Sequence, residues 1–328
     1  MTVVILRIFV FKSFLIFLSN MIHDLIIIGG GPAGVSAGIY AARKRLKTLL
    51  IAESIGGQST ESVGVENWIG TIKISGIDLG KQLEAHLRAY ADSAVEIHTG
   101  DRVTKVTKSG EIFKVETPKE TFESKSVLIA SGSTRRKLEI PGAQEYENKG
   151  ITYCASCDGP LFAGADVVVV GGGNAGFESA AQLLAYAKSV TLLNRTNTIK
   201  ADEATVESVS LHPNMKVIKN ALPKKIEGDK FVTSLTYADS VTGEEHKVFC
   251  TGVFVEIGLV PTTGMVDGLI VLNEYKQIPV NPKNQRTHVD GIWAAGDCTD
   301  GLYHQNNIAS GDAVKALEDI YLYIHTKK

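Results

Sequence analysis

The sequence predicts an α/β protein that uses one supersecondary unit twice, and three observations predict it. Two glycine-rich turns, Gly29-Gly-Gly31-Pro-Ala-Gly34 and Gly171-Gly-Gly173-Asn-Ala-Gly176, lie far apart in the chain. Each follows an unbroken apolar run and precedes an alanine-rich stretch of helical composition. Each copy then continues into short alternating segments bounded by turn residues. Short continuous apolar runs read as strands buried on both faces, the kind that fill parallel sheets.

Length and composition narrow the function classes. A chain of 328 residues with 44% hydrophobic residues has the size of about two folded domains. A formal charge of −2 argues against the concentrated basic surface that nucleic-acid binding needs. Four cysteines in a chain this long are no secreted disulfide scaffold. They suit a reducing, cytoplasmic setting, where Cys-x-x-Cys is redox or metal chemistry. Zinc would need a second pair, or histidines at ligand spacing; Cys250 and Cys298 stand alone as ordinary buried residues, and no metal is expected.

The elements follow in order. Val3 to Leu18 is almost continuously apolar, broken by Arg7 and Lys12. It falls short of the roughly 20 residues of a membrane span, and no small-residue cleavage site follows. Met21-Ile-His-Asp-Leu-Ile-Ile-Ile28 starts as a cytosolic chain would, so residues 1–20 read as a misassigned start or dispensable extension, not an anchor. Asp24 to Ile28 is a buried strand, Val35 to Ala42 a helix, and Lys47 to Ala52 the next strand, ending at Glu53. This is a dinucleotide fingerprint in its strand–turn–helix setting. Gly29 permits the tight turn, Gly31 lets backbone approach a pyrophosphate, and Gly34 lets helix pack on strand. The helix N-terminus offers free N–H groups to that pyrophosphate, and Glu53 suits a ribose diol.

Residues 54–70, with Gly56-Gly57-Gln58, read as loop, and Ile77 to Ala91 as a helix with Leu79, Leu83 and Leu87 on one face. Val95 to His98 is a strand, Arg102 to Glu123 a small meander, and Val127 to Ala130 a buried strand closed by Ser131-Gly132-Ser133. Lys137 to Pro141 is a connector. Cys154-Ala-Ser-Cys157-Asp158 follows, a pair that can close a disulfide, share a metal or sit buried. Cys-x-x-Cys geometry lowers a thiol's pKa, and an acid directly after it can move protons. The plan then repeats: strand Asp166 to Val170, the second turn, helix Phe177 to Ala187, strand Val190 to Leu193, short strands from Val217 to Phe249, and a closing Phe254 to Gly258. Gly291 to Asp297 is a strand ending in a turn, and Asn306 to Leu317 a helix start. Twenty-four residues after the first glycine of each turn stand Glu53 and Arg195. A carboxylate suits a free 2′-hydroxyl and a guanidinium a 2′-phosphate, which assigns FAD to the first unit and a nicotinamide nucleotide, NADPH before NADH, to the second.

Together Gly29–Gly34, Glu53, Gly56-Gly57-Gln58, Val65-Glu66-Asn67, Cys154–Gly159, Gly171–Gly176, Gly252–Pro261, Gly296-Asp297 and Gln305 make the chain resemble low-molecular-weight thioredoxin reductases from about Met21 onward. The resemblance implies two Rossmann-like ββα domains, the second inserted in the first. FAD is then held by 21–135 and 262–328 through Gly29, Gly31, Pro32, Ala33, Gly34, Glu53, Gly57, Gln58, Asn67, Ala130, Gly132, Gly296, Asp297 and Gln305. Residues 136–261 hold NAD(P)H through Gly171, Gly173, Asn174, Gly176, Arg195, Lys200 and Gly258. It further implies a homodimer, a hinge near 133–137 and 260–264, and hydride transfer from NADPH to flavin. The flavin then opens the Cys154–Cys157 disulfide, with Cys157 facing it, Asp158 donating the proton and Cys154 attacking a thioredoxin-like disulfide.

Three departures qualify the resemblance. Asn194-Arg195-Thr196 stands where the family has His-Arg-Arg, and Lys200 takes a later arginine's place. Glu256 replaces a small residue, and Gln305-Asn306-Asn307-Ile308 is atypical. Another donor or acceptor (ferredoxin, reduced flavin, oxygen) and a nucleotide-binding redox sensor are the alternatives.

Overall fold

The computed structural model describes residues 22–62, 64–91 and 94–326. The apolar stretch 1–20 and the proposed start at Met21 lie outside the described residues. Among the described residues no helix is long and apolar enough to cross a membrane. The chain divides into two compact units, one ending at Thr134 and resuming at Val260, the other spanning Arg135–Leu259.

The first unit is built on a parallel sheet of β2 (Leu25–Ile28), β3 (Thr48–Ala52), β4 (Val95–Thr99), β8 (Val127–Ile129) and β19 (Ile292–Ala294), in the order β19-β8-β2-β3-β4. The period-two alternation of a strand sends Leu25 and Ile27 to one face and Ile26 and Ile28 to the other. The first pair packs under helices α1 (Pro32–Arg43), α2 (Gly76–Ala91) and α6 (Asn306–Thr326). The second packs against Val106, Phe113 and Val115 of a meander made of β5 (Lys105–Ser109), β6 (Ile112–Glu116) and β7 (Thr121–Ser124), to which β1 (Ile22–His23) adds in parallel. Both faces of the sheet are thus covered along β2, β3, β8 and β19, which are buried at every residue, and only the edge strand β4 alternates, with Glu96 exposed.

The second unit repeats the three layers. Its parallel sheet runs β10 (Ile151–Thr152), β17 (Gly252–Val255), β11 (Asp166–Val170), β12 (Ser189–Leu193), β13 (Met215–Ile218). Val167 and Val169 face helices α4 (Asn174–Leu183) and α5 (Glu203–Ser210), with Phe177, Ala180 and Leu183 in that layer. Val168 and Val170 face the antiparallel sheet of β14 (Ala221–Gly228), β15 (Val232–Asp239) and β16 (Glu245–Phe249). The chain passes between the units on β9 (Ser133–Arg135) and β18 (Leu259–Pro261), two short strands that pair with each other.

Helix limits differ from those read in the sequence. Helices α1 and α4 start at Pro32 and Asn174, directly on the glycine turns, because Gly31 and Gly173 carbonyls accept the first helical bonds from Val35 and Phe177 N–H (3.0 and 3.1 Å). Helix α4 stops at Leu183, four residues before the expected Ala187, where Tyr186 and Ala187 N–H both fold back onto the Leu183 carbonyl. Helix α6 continues past Leu317 to Thr326, its apolar spacing prolonged by Ile320.

Candidate functional site

Both glycine turns are built alike, and the reason is steric. Gly29 and Gly171 have φ of +119° and +127°, in the left-handed region where a side chain is strained. A Cβ at Gly29 would lie 2.1 Å from the Ala130 carbonyl oxygen, and one at Gly171 2.2 Å from that of Glu256. Gly34 and Gly176 pass so close to the first glycine of each turn that a Cβ would fall 1.9 Å from its carbonyl oxygen. Gly173, by contrast, has open space beside it, and Gly31 nearly so, with its nearest neighbour, Gly57 Cα, 3.9 Å away. Each turn therefore has two crowded glycines that seat the helix and one open glycine at the helix N-terminus. That open position presents unbonded N–H groups and the positive end of the helix dipole to an anion.

In the first unit the turn opens into a cleft. Gly29, Gly31, Pro32, Ala33, Glu53, Gly57, Gln58, Ala130, Gly132, Gly296 and Asp297 line it, together with Gly30, Ala52, Ser54, Ser131, Ser133, Ala295, Asn306 and Ala309. Gly34 is buried behind the turn as a packing residue. Asn67 and Gln305 stand outside the cleft lining and bond to each other, Asn67 Nδ2 donating to Gln305 Oε1 (3.0 Å). Next to them Ser59 Oγ donates to Asn306 Oδ1 (3.0 Å), and Asn307 Nδ2 to the Asn67 carbonyl (2.7 Å). The run Gln305-Asn306-Asn307, atypical in sequence, thus ties the loop carrying Gly57 and Gln58 to the start of α6. Glu53 is exposed at the cleft's edge and lies 3.9 Å from Arg102. A buried imidazole nitrogen, His304 Nε2, lacks a partner among the described residues. The donor set and the open glycine suit a diphosphate and ribose, as an FAD carries, in this cleft.

In the second unit Gly171 N–H bonds the Leu193 carbonyl (3.0 Å), just as Gly29 N–H bonds that of Ile51 (2.8 Å). Arg195 and Glu53 therefore occupy matching places, two residues beyond the bonded carbonyl. Arg195 and Lys200 are exposed. Asn194 is turned inward: its Nδ2 donates to the Thr196 and Thr198 carbonyls (2.7 and 3.0 Å). Asn174 Oδ1 accepts from Asp202 N–H (2.8 Å), and the Gly172 carbonyl accepts from Lys200 N–H (3.3 Å), which brings the α5 end over the turn. Gly258, at φ +105°, accepts through its carbonyl from Arg136 N–H (3.1 Å) beside β18.

The cysteine pair leaves the same edge of that sheet. β10 runs parallel to β17, and Cys154 lies two residues beyond its C-terminal end, so the pair shares an edge with the Gly171 turn. Cys154 and Cys157 form a disulfide. Cys154 caps the short helix α3 (Ala155–Asp158), its Sγ accepting from Cys157 N–H (3.2 Å). Ser156 Oγ holds that helix to α4 through Gln182 Oε1 (2.7 Å). Asp158 is half-buried, and burial lifts its carboxyl above the usual carboxylate range, opposed by a hydrogen bond from Thr152 Oγ1 and the charge of Arg135. A carboxyl whose proton affinity is raised by burial beside a disulfide is suited to pass a proton to a leaving thiolate. Cys250 and Cys298 are buried, their thiols pushed up to about 12 and about 11 by desolvation, which makes them inert. No cluster of metal-ligating side chains occurs among the described residues.

Sequence reading missed Ser54 and Ser131, which line the cleft from loops whose composition carries no signal, and Asn306 at the start of α6. Asn306 alone sat in a segment whose departure from the expected pattern marked it.

The fold and this arrangement match known proteins. The model of the pyridine nucleotide-disulphide oxidoreductases matches residues 23–313. A NADH dehydrogenase of Bacillus subtilis is 40% identical over 302 residues, 92% of this chain and 58% of the relative. A component of the alkyl hydroperoxide reductase of Staphylococcus epidermidis is 39% identical over 303 residues, 92% of this chain and 59% of the relative. This chain thus spans under two thirds of the length of the curated relatives it matches. A thioredoxin reductase from Giardia duodenalis superposes with a TM-score of 0.88 at 32% identity, covering 94% of this chain and all of that one. The chain belongs to the pyridine nucleotide-disulphide oxidoreductases, with the two-unit fold of the low-molecular-weight thioredoxin reductases.

Proposed function

We propose that the chain is a disulfide reductase that draws electrons from NADH and delivers them, through Cys154 and Cys157, to the disulfide of a small thioredoxin-like protein. The observation that carries the reading is the closed Cys154–Cys157 disulfide beside Asp158, whose carboxyl burial lifts, on the sheet edge that also bears a glycine turn. The family's cofactors are FAD and NAD(P)H. In this reading the first unit binds FAD in its cleft and the second binds the nicotinamide nucleotide at Gly171–Gly176. When bound, FAD supplies two-electron exchange between a dihydronicotinamide and sulfur.

The chain's own residues do the rest. Opening a disulfide takes two electrons and two protons; Asp158 supplies a proton to the sulfur that leaves. Cys154, two residues past β10, attacks the partner's disulfide as a thiolate, and Cys157 then closes on the mixed disulfide to release the reduced partner. A homodimer in the cytoplasm belongs to the same reading.

Two supports favour NADH as the donor. Arg195 stands as a lone guanidinium beside an inward-turned Asn194, half of what a clamp on a 2′-phosphate needs. A relative with 40% identity is named an NADH dehydrogenase. Steady-state kinetics with both nucleotides tests the donor: kcat/KM higher for NADH is expected, and a tenfold preference for NADPH refutes it. Anaerobic turnover of a thioredoxin or an aromatic disulfide tests the acceptor. Oxygen consumption without disulfide turnover would favour a dithiol oxidase, and flavin-bound protein with no turnover a sensor.

A further inference from the structure

Glu256 is an ionisable group of the second unit that disulfide chemistry leaves unused. It follows β17 directly, its N–H still bonded to the Val170 carbonyl (2.8 Å) at the end of β11. Its own carbonyl oxygen lies against the nucleotide turn, 2.2 Å from where a Gly171 Cβ would stand. Its carboxyl reaches helix α4, where Oε1 accepts from Ser179 Oγ (2.7 Å). Ser179 is the sixth residue of that helix, about 8 Å along the axis from the N-terminus at 1.5 Å per residue. The groups around it are few. Arg135 on β9 favours its ionised form, as does the Ser179 hydroxyl; the exposed Glu178 on α4 opposes it; β11 and β17 contribute backbone and apolar Val170 and Val255. Arg135 is shared with Asp158, so neither carboxyl has it alone. Burial dominates and lifts the Glu256 carboxyl to about 7.

We propose that Glu256 is a positioning residue for the nicotinamide nucleotide, whose loss of a proton weakens the second turn's hold on the pyrophosphate. The inference rests on the assignment of that turn to a dinucleotide. The pyrophosphate and an ionised Glu256 are like charges on one turn, separated by low-dielectric protein, and repel. Nucleotide binding therefore raises the proton affinity of Glu256, and a proton on Glu256 strengthens nucleotide binding by the same factor. Affinity is full below the free protein's value and declines as pH rises through it.

The test is calorimetric titration of the flavin-loaded full chain with ADP-ribose, from about pH 6 to about pH 8.5. ADP-ribose carries the pyrophosphate, reduces no flavin, and has no phosphate that titrates in that range. A shift of about one-half to one pKa unit corresponds to about a three- to tenfold loss of affinity in the wild type. Glu256→Gln is expected to bind with no such slope. Ser179→Ala removes a donor to the ionised form, so its inflection moves to higher pH. KM for NADH should follow the ADP-ribose curve in the wild type and lose that slope in Glu256→Gln. A wild-type affinity independent of pH, a slope that survives Glu256→Gln, or an unmoved inflection in Ser179→Ala overturns the proposal. Absence of ADP-ribose binding at every pH overturns the nucleotide assignment and the proposal with it, an outcome distinct from pH-independent binding.

Discussion

Asp158 and Glu256 are both carboxyls that burial holds above their ordinary range, and each makes a separate test possible. In the proposed reading Asp158 passes a proton to the leaving thiolate, and general acids of this kind contribute on the order of 10²-fold or more. Asp158→Asn is therefore expected to lower kcat for disulfide turnover about a hundredfold. The wild-type rate should fall as pH rises through the raised Asp158 value, and the variant should lack that limb; unchanged kcat would remove Asp158 from the chemistry. Glu256 bears on stability. Its carboxyl moves from 4.5 to about 7 on folding. Between those values the folded unit keeps a proton that the unfolded chain has lost, so stability falls as pH rises across that window. Glu256→Gln should then gain on the order of 2 kcal/mol over wild type between pH about 4 and about 8, read from denaturant midpoints at each pH. Asp158 was legible in the sequence because it follows the cysteines. Glu256 registered only as a departure, since its significance comes from burial beneath α4, which no local pattern records.

At the scale of elements, the two glycine turns allow the two units' proposed tasks to be tested separately. Gly34 and Gly176 each leave no room for a Cβ against the carbonyl of the turn's first glycine. An added methyl there forces helix from strand, at a cost of about 1–3 kcal/mol. Gly34→Ala is expected to lose bound flavin, measured as visible absorbance per protein. Gly176→Ala should keep flavin but lose its reduction by NADH. The reverse pattern would exchange the units' assignments. The strands, the turns and the start of each helix were legible because unbroken apolar runs and glycines act locally. Helix ends were less so: α4 stops early where its last carbonyl takes two backbone donors, a choice made by the fold. The role of Gln305-Asn306-Asn307 was illegible for a different reason, because its partners Ser59, Asn67 and Ile69 lie more than two hundred residues away. Asn306→Ala removes the Ser59 bond, worth about 1 kcal/mol, and should weaken flavin retention as measured by dialysis.

At the scale of the whole molecule, a repeated ββα unit with a cysteine pair before the second turn gave the fold class directly from the sequence. Two sheets with matching layers follow from central strands without an exposed polar side. The identity of the protein disulfide was not legible, since a docking surface carries no fixed motif. The central claim is that nicotinamide, flavin and the Cys154–Cys157 pair form one electron path. Anaerobic titration of the purified, flavin-loaded protein with NADH, followed by visible absorbance and thiol assay, tests it most directly. The expected result is full bleaching only after more NADH than flavin has been added, with new thiols appearing in wild type and none in Cys157→Ser. A protein that stays colourless after reconstitution with flavin, or a wild type and a Cys157→Ser variant that consume equal NADH, would contradict it.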